Sequence, residues 1–233
     1  VKTFAIEYRF RFPDGRRERY DLRIDAATLE LQQEQPDTPP WTSLDFHQCP
    51  NCPLEPARHS HCPAAVALVR LVDSCARLVS YDRLAVEIVT PERIISNEIP
   101  AQRGVSSLMG LILATSGCPR TAFFKPMARF HLPLASEEET IYRAASMYLL
   151  AQYFLRKDGA TADLDLEGLK AIYADLHTVN RTLADRLRHA IEEDSTINAL
   201  ILLDLFAKNI PFVIEDSLEE IRYLFAPFLA KSN

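Results

Sequence analysis

The sequence predicts an α+β protein: N-terminal antiparallel strands with a cysteine-rich loop and two helices, followed by a C-terminal helical bundle. Three observations carry this. Side chains alternate polar and apolar over the first thirty residues, apolar residues recur every three or four positions beyond residue 134, and a proline-rich stretch holding three cysteines parts the strands from the first helix.

Phe4, Ile6, Tyr8 and Phe10 alternate at period two, "PDGR" supplies a turn, and Tyr20, Leu22 and Ile24 alternate again. A short strand is expected at "TLELQ". "EQPDTPPWTS" is too rich in proline for a helix or a central strand, and it leads into "FHQCPNCPLEPARHSHCP". From Pro63 to about Val79, Val66, Val69 and Leu78 recur at near-helical spacing, with Pro63 suited to the first helical position. "RLAVEIV" and "RIISNEI" read as a hairpin around "TPE". A helix follows from about Gln102 to Thr115, ending at Gly117.

Beyond residue 134 the pattern is helical. Ser136 and Glu139 form a capping box that opens a helix running to Lys157 and stopping at Gly159. Leu166, Leu169, Ile172, Leu176, Val179, Leu183, Leu187 and Ile191 mark one apolar stripe of a longer helix. Two more are expected at about Thr196 to Lys208 and Ser217 to Phe228, the last with a second capping box at Ser217 and Glu220. The chain thus divides near residue 134 into an α+β portion, 1–134, with the cysteine loop, and a helical portion, 135–233, packed against it.

Composition bounds the function. A chain of 233 residues, 48% of them apolar, buries a substantial core. Its longest apolar run, "NALILLDLF", is too short and too interrupted to span a bilayer, so no membrane anchor is expected. "VKTFAIEYRF" alternates where a signal peptide would carry a basic head and an apolar block, and the compartment expected is the reducing cytoplasm. A net charge of −6 disfavours a nucleic-acid partner. The basic groups Arg16, Arg17 and Arg19, and Arg181, Arg186 and Arg188, read as solvated faces.

The cysteines give the sharpest signal. Cys49, Cys52, Cys62 and Cys118 each precede proline, whereas Cys75 lies in an expected helix and reads as buried. A residue before proline is pushed into extended geometry, so each of the four thiols sits at a stiff corner that could face a common centre. Zinc takes four ligands in a tetrahedron, and Cys-x₂-Cys supplies two from one turn. Cys49 and Cys52 fit that description, Cys62 adds a third, and Cys118 ranks as fourth ahead of His61, His47 and His131. Four thiolates also suit an iron–sulfur cluster, although the spacing matches neither common ferredoxin pattern. The competing reading is of small apolar residues in a packed loop.

"GCPRTAFFKPMARFHLPLASEEET" reads as a rigid connector. If it is extended, Arg129 and His131 project from one face, where they could contact an anion or support a metal site. In the plainer reading Arg129 pairs with a carboxylate and His131 is hydrogen-bonded and half-buried. A Cys118–His131 thiol enzyme is disfavoured, because a helix C-terminus raises the pKa of a nearby thiol. Phosphate-loop, zinc-protease and hydrolase-elbow motifs are absent.

"HQCPNCPL", the following "CP", "LATSGCP", "PMARFHLP" and "MYLLAQYF" resemble a bacterial protein family of unassigned activity, over nearly the whole chain. The resemblance implies that Cys49, Cys52, Cys62, Cys118, Arg129 and His131 belong to a shared pattern. It implies no reaction or substrate. The expectation is therefore a cytoplasmic metal-binding protein with a structural zinc site of four cysteines, and a helical region that binds a protein partner or forms a homodimer. The alternatives are an iron–sulfur redox protein and a metal-free interaction module.

Overall fold

The computed structural model describes residues 2–12, 14–32, 38–75, 82–190 and 218–230. Strands β1 (Thr3–Arg11), β2 (Arg17–Asp25), β3 (Leu31–Gln32), β4 (Arg83–Val89) and β5 (Ile94–Pro100) form one antiparallel sheet in the order β3-β2-β1-β4-β5. The expected period-two pattern sets its register. Tyr8 pairs with Tyr20 and Phe4 with Ile24 across the first hairpin, so the apolar side chains of β1, β2 and β4 fall on one face. The strand expected at "TLELQ" is only the two residues of β3.

That face is covered by helices α1 (Pro63–Cys75) and α2 (Ala101–Thr115), which pack on each other. Leu68, Leu71, Leu108, Met109 and Ile112 are all fully buried there, each such side chain contributing about 1.5–3 kcal/mol. Helix α2 comes close to the sheet at Gly104, where a Cβ would lie 3.1 Å from the Phe10 ring. Helix α5 (Glu167–Ala190) completes this core with Val179, Leu183, Ala184 and Leu187.

Between α2 and the bundle the chain is helical rather than extended, as a 3-10 turn at Ala122–Phe124 and helix α3 (Lys125–Arg129). Pro126 is tolerated because it falls in the first turn, where an amide proton has no helical partner. Helix α4 (Glu137–Lys157) opens with the expected capping box: Ser136 Oγ accepts the Glu139 amide at 3.1 Å, and Glu139 Oε2 accepts the Ser136 amide at 2.7 Å. A second core of Ile141, Ala144, Ala145 and Tyr148 on α4 meets Leu166, Leu169 and Tyr173 at the start of α5.

The expected helix at Thr196 to Lys208 and its neighbouring cap at Ser217 lie outside the described residues. Near the C-terminus the expected continuous helix is broken into a 3-10 turn, Arg222–Phe225, and a single helical turn, Ala226–Leu229. Pro227 accounts for the break, since its ring and missing amide proton are compatible only with a first turn. Among the described residues no helix is long and apolar enough to cross a membrane.

Asp163 joins α4 to α5 by accepting the Tyr148 hydroxyl at 2.7 Å and the Gly168 amide at 2.8 Å. A Cβ on Gly168 would collide with Tyr148 Oη. Gly168→Ala, normally favourable in a helix, is therefore expected to destabilise by about 1–2 kcal/mol through loss of the Tyr148–Asp163 bond. In a Tyr148→Phe background the same substitution should cost markedly less, with only the ring carbon at 3.1 Å left to give way, as read by urea denaturation of the double-mutant cycle.

Candidate functional site

The cysteine loop is docked by an arginine. Trp41 through His47 lie against α5, and the fully buried Arg186 sends Nη1 to the carbonyls of Trp41 (2.7 Å) and Ser43 (2.6 Å) and Nη2 to those of His47 (3.2 Å) and Leu44 (3.5 Å). The loop closes on itself through Leu44 N to Ser60 O (3.0 Å) and Cys62 N to Thr42 O (2.8 Å). Cys52 N bonds Cys49 O at 2.9 Å, making the tight turn that the Cys-x₂-Cys spacing anticipates. A second clamp ties the loop to α5: Arg120 donates to Asn51 O (2.6 Å) and Asp175 Oδ2 (2.8 Å), while Asn51 Nδ2 donates to Asp175 Oδ1 (2.9 Å).

The four Cys-Pro thiols gather in this region. Cys62 is buried, and Cys49, Cys52 and Cys118 are half-buried against the core. Burial, and after it the charges of Cys62, Cys118 and Cys52, push the Cys49 thiol up to about 11, despite a hydrogen bond with Thr182 on α5. Burial likewise raises Cys118, the reverse of an activated nucleophile.

This neighbourhood is not a metal centre. Among the described residues no three His, Cys, Asp or Glu side chains are arranged to hold a metal ion, which overturns the expected zinc site at Cys49, Cys52, Cys62 and Cys118 and the iron–sulfur alternative with it. A tetrahedral thiolate site draws its sulfurs to within about 4 Å of one another. Here the thiols instead pack as small apolar groups, and a positive charge beside them is the Arg186 guanidinium. A buried cation in that position opposes a second one. Arg186 also departs from its reading as part of a solvated basic face. His61, ranked next as a ligand, is exposed and bonds Thr42 Oγ1 at 3.0 Å.

A different site lies on the other side of α2. A cavity of about 550 Å³ opens between α2, the segment around α3, α4 and α5. Its walls are predominantly apolar, with Leu111, Ala114, Phe124, Met127 and Leu176 among them, and its polar groups include Ser107, His131, Arg143 and Tyr173. The volume falls within the range of small-molecule pockets.

The polar groups are fixed from three elements. Ser107 Oγ accepts the Leu134 amide at 3.1 Å and lies 2.9 Å from Tyr8 Oη, which lies 2.6 Å from His131 Nε2. Only the order Ser107 to Tyr8 to His131 uses both hydroxyl protons; the reverse leaves the Ser107 proton without an acceptor among the described residues. His131 is then neutral with its proton on Nδ1. Burial, followed by the positive charge of Arg143, pushes its pKa down to about 3. Arg143 Nη2 donates to the carbonyls of Met127 and Phe130, each at 2.9 Å, at the C-terminal end of α3. Burial lowers Arg143, partly offset by Tyr173 and Glu139, and burial raises Tyr173 far above the usual tyrosine range.

Of the sequence-predicted pair, His131 lines this cavity, hydrogen-bonded and half-buried as the plainer reading expected. Arg129 ends α3 on the exposed surface, its guanidinium 4.9 Å above the Phe4 ring and 5.5 Å from that of Phe130. Tyr8, Ser107 and Arg143 escaped sequence reading, because each belongs to a periodic strand or helix and nothing local marks it as facing a cavity.

The family described as "domain of unknown function (DUF6901)" matches residues 6–226. The chain belongs to that family. The DUF6901 match spans both the cysteine loop and every side chain of the cavity. No curated protein and no solved structure matches the chain.

In this DUF6901 chain the depressed His131 carries a pH dependence whose sign is fixed. Between about pH 6.5, where an unfolded histidine titrates, and the folded value of about 3, the unfolded chain binds the proton and the folded one does not, so stability falls as pH falls. The slope from this group reaches at most about 1.4 kcal/mol per pH unit. His131→Gln keeps an acceptor for Tyr8 and does not titrate. Its denaturation curves between pH 6.5 and 4 should lose this slope, and the difference from the wild-type protein measures it.

Proposed function

We propose that this protein binds a small, largely apolar molecule in the cavity between α2, α4 and α5, and that the rest of the fold serves to hold those walls in place. The observation that carries the reading is the cavity itself: about 550 Å³, lined mainly by apolar side chains, with a few polar groups in fixed orientation. Apolar pockets with a small number of convergent polar groups are the usual form of small-molecule sites. Both portions of the chain supply walls, Ser107 and His131 from before residue 134 and Arg143 and Tyr173 from after it.

Several features support binding over a reaction on a thiol or a metal. The thiols are raised in pKa and packed in hydrocarbon, away from activation. In the cavity, by contrast, burial favours the neutral forms of His131 and Tyr173, which suits recognition.

Gly110 lies in the interior of α2 and lines the cavity, so a substitution there adds a side chain at the cavity wall. Gly110→Leu is expected to gain about 1 kcal/mol of helix propensity at most and to fill part of the cavity. Titration of wild-type protein with octan-1-ol, a neutral probe, should give saturable shifts at the methyl groups of Leu111 and Met127. Gly110→Leu should abolish them without lowering the melting temperature. Absence of saturable shifts in the wild type, or undiminished binding in the variant, would refute the reading.

A further inference from the structure

We infer that the ligand of this cavity is an amphipathic monoanion, an aliphatic or aromatic body ending in a carboxylate-like group, received by Arg143 and by the Nδ1–H of His131. The inference rests on the binding reading above and adds the chemistry of the head group.

The polar groups at this end of the cavity offer hydrogens. Arg143 spends Nη2 on two backbone carbonyls, and its Nε and Nη1 make no hydrogen bond among the described residues. Nor does any described carboxylate stand within ion-pair distance of it. Glu139, the acid whose charge it feels, has its carboxylate on the Ser136 amide instead. A half-buried guanidinium without a counter-ion has lost hydration that two neutral carbonyls replace only in part, and an anion restores the balance. His131 adds a further donor because the Tyr8 hydroxyl occupies Nε2 and leaves the proton on Nδ1.

The charge count selects the class. His131 is neutral, so among the described residues the interior offers one full positive charge, that of Arg143, and a singly charged acceptor matches it. The rim adds Arg103 and Glu137, which are both exposed and of opposite sign, so solvent screens them and they leave the count unchanged. The planar guanidinium fork also suits a planar carboxylate, while the remaining walls suit hydrocarbon.

The test compares octanoate, octan-1-ol and octyltrimethylammonium on the intact protein at pH 7 and low salt, by calorimetric or NMR titration. Octanoate should bind about tenfold to a hundredfold more tightly than octan-1-ol, with the ammonium weakest. Arg143→Gln keeps an amide donor for the carbonyls of Met127 and Phe130 but loses both the charge and the fork. It should bring octanoate close to octan-1-ol and leave octan-1-ol unchanged. Equal binding of octanoate and octan-1-ol by the wild type overturns the monoanion while the cavity reading stands. Equal loss of both probes in Arg143→Gln overturns the head-group assignment, since the arginine would then only shape the walls. Failure of all three probes overturns the cavity reading and this inference together.

Discussion

The buried guanidinium of Arg186 is the contact on which the arrangement of loop, sheet and helix depends. It is fully enclosed, and it reaches four backbone carbonyls of a single loop. Carbonyls of an irregular segment have no ladder to satisfy them, and leaving them buried without donors costs about 1–3 kcal/mol apiece. One side chain from α5 meets that need. The Asp45 carboxylate nearby offsets part of the cost of enclosing the charge, since it favours the protonated guanidinium.

Docking the loop also places α5, and α5 belongs to both cores. Val179, Leu183 and Leu187 sit in the sheet core, while Leu169 and Tyr173 reach the smaller core against α4. Tyr173 and Leu176 are at the same time walls of the cavity. The clamp of Arg120, Asn51 and Asp175 holds α5 to the loop a few turns before Arg186. Polar contacts with the loop thus hold the helix that supplies Tyr173 and Leu176 to the cavity, and such contacts are more directional than apolar packing.

Much of this fold is legible in the sequence because it is local. Alternation at Phe4 to Phe10 and Tyr20 to Ile24 gives the hairpin and its buried face, and Ser136 with Glu139 marks the start of α4 to the residue. The Cys-Pro thiols lie near enough to influence Cys49, but not in the arrangement of metal ligands that their spacing suggests. What the spacing hides is the identity of the cation beside them: an arginine more than a hundred residues downstream, set between Asp185 and Arg188 so that it resembles one more charge on a solvated helix. The cavity was hidden for the same reason. Tyr8 and His131 are far apart in sequence, and tertiary packing brings them together. His131 stood out because prolines and an arginine surround it, whereas Arg143 carries no such flag.

The most direct test of this account is amide hydrogen exchange at Leu44 and Cys62, the two amides that close the loop, in wild-type protein with and without a strong chelator and in Arg186→Met. If the arginine is the staple, the chelator leaves both amides protected and Arg186→Met exposes them while the amides of β1 stay protected. Protection that the chelator removes, or that survives the loss of Arg186, would contradict it.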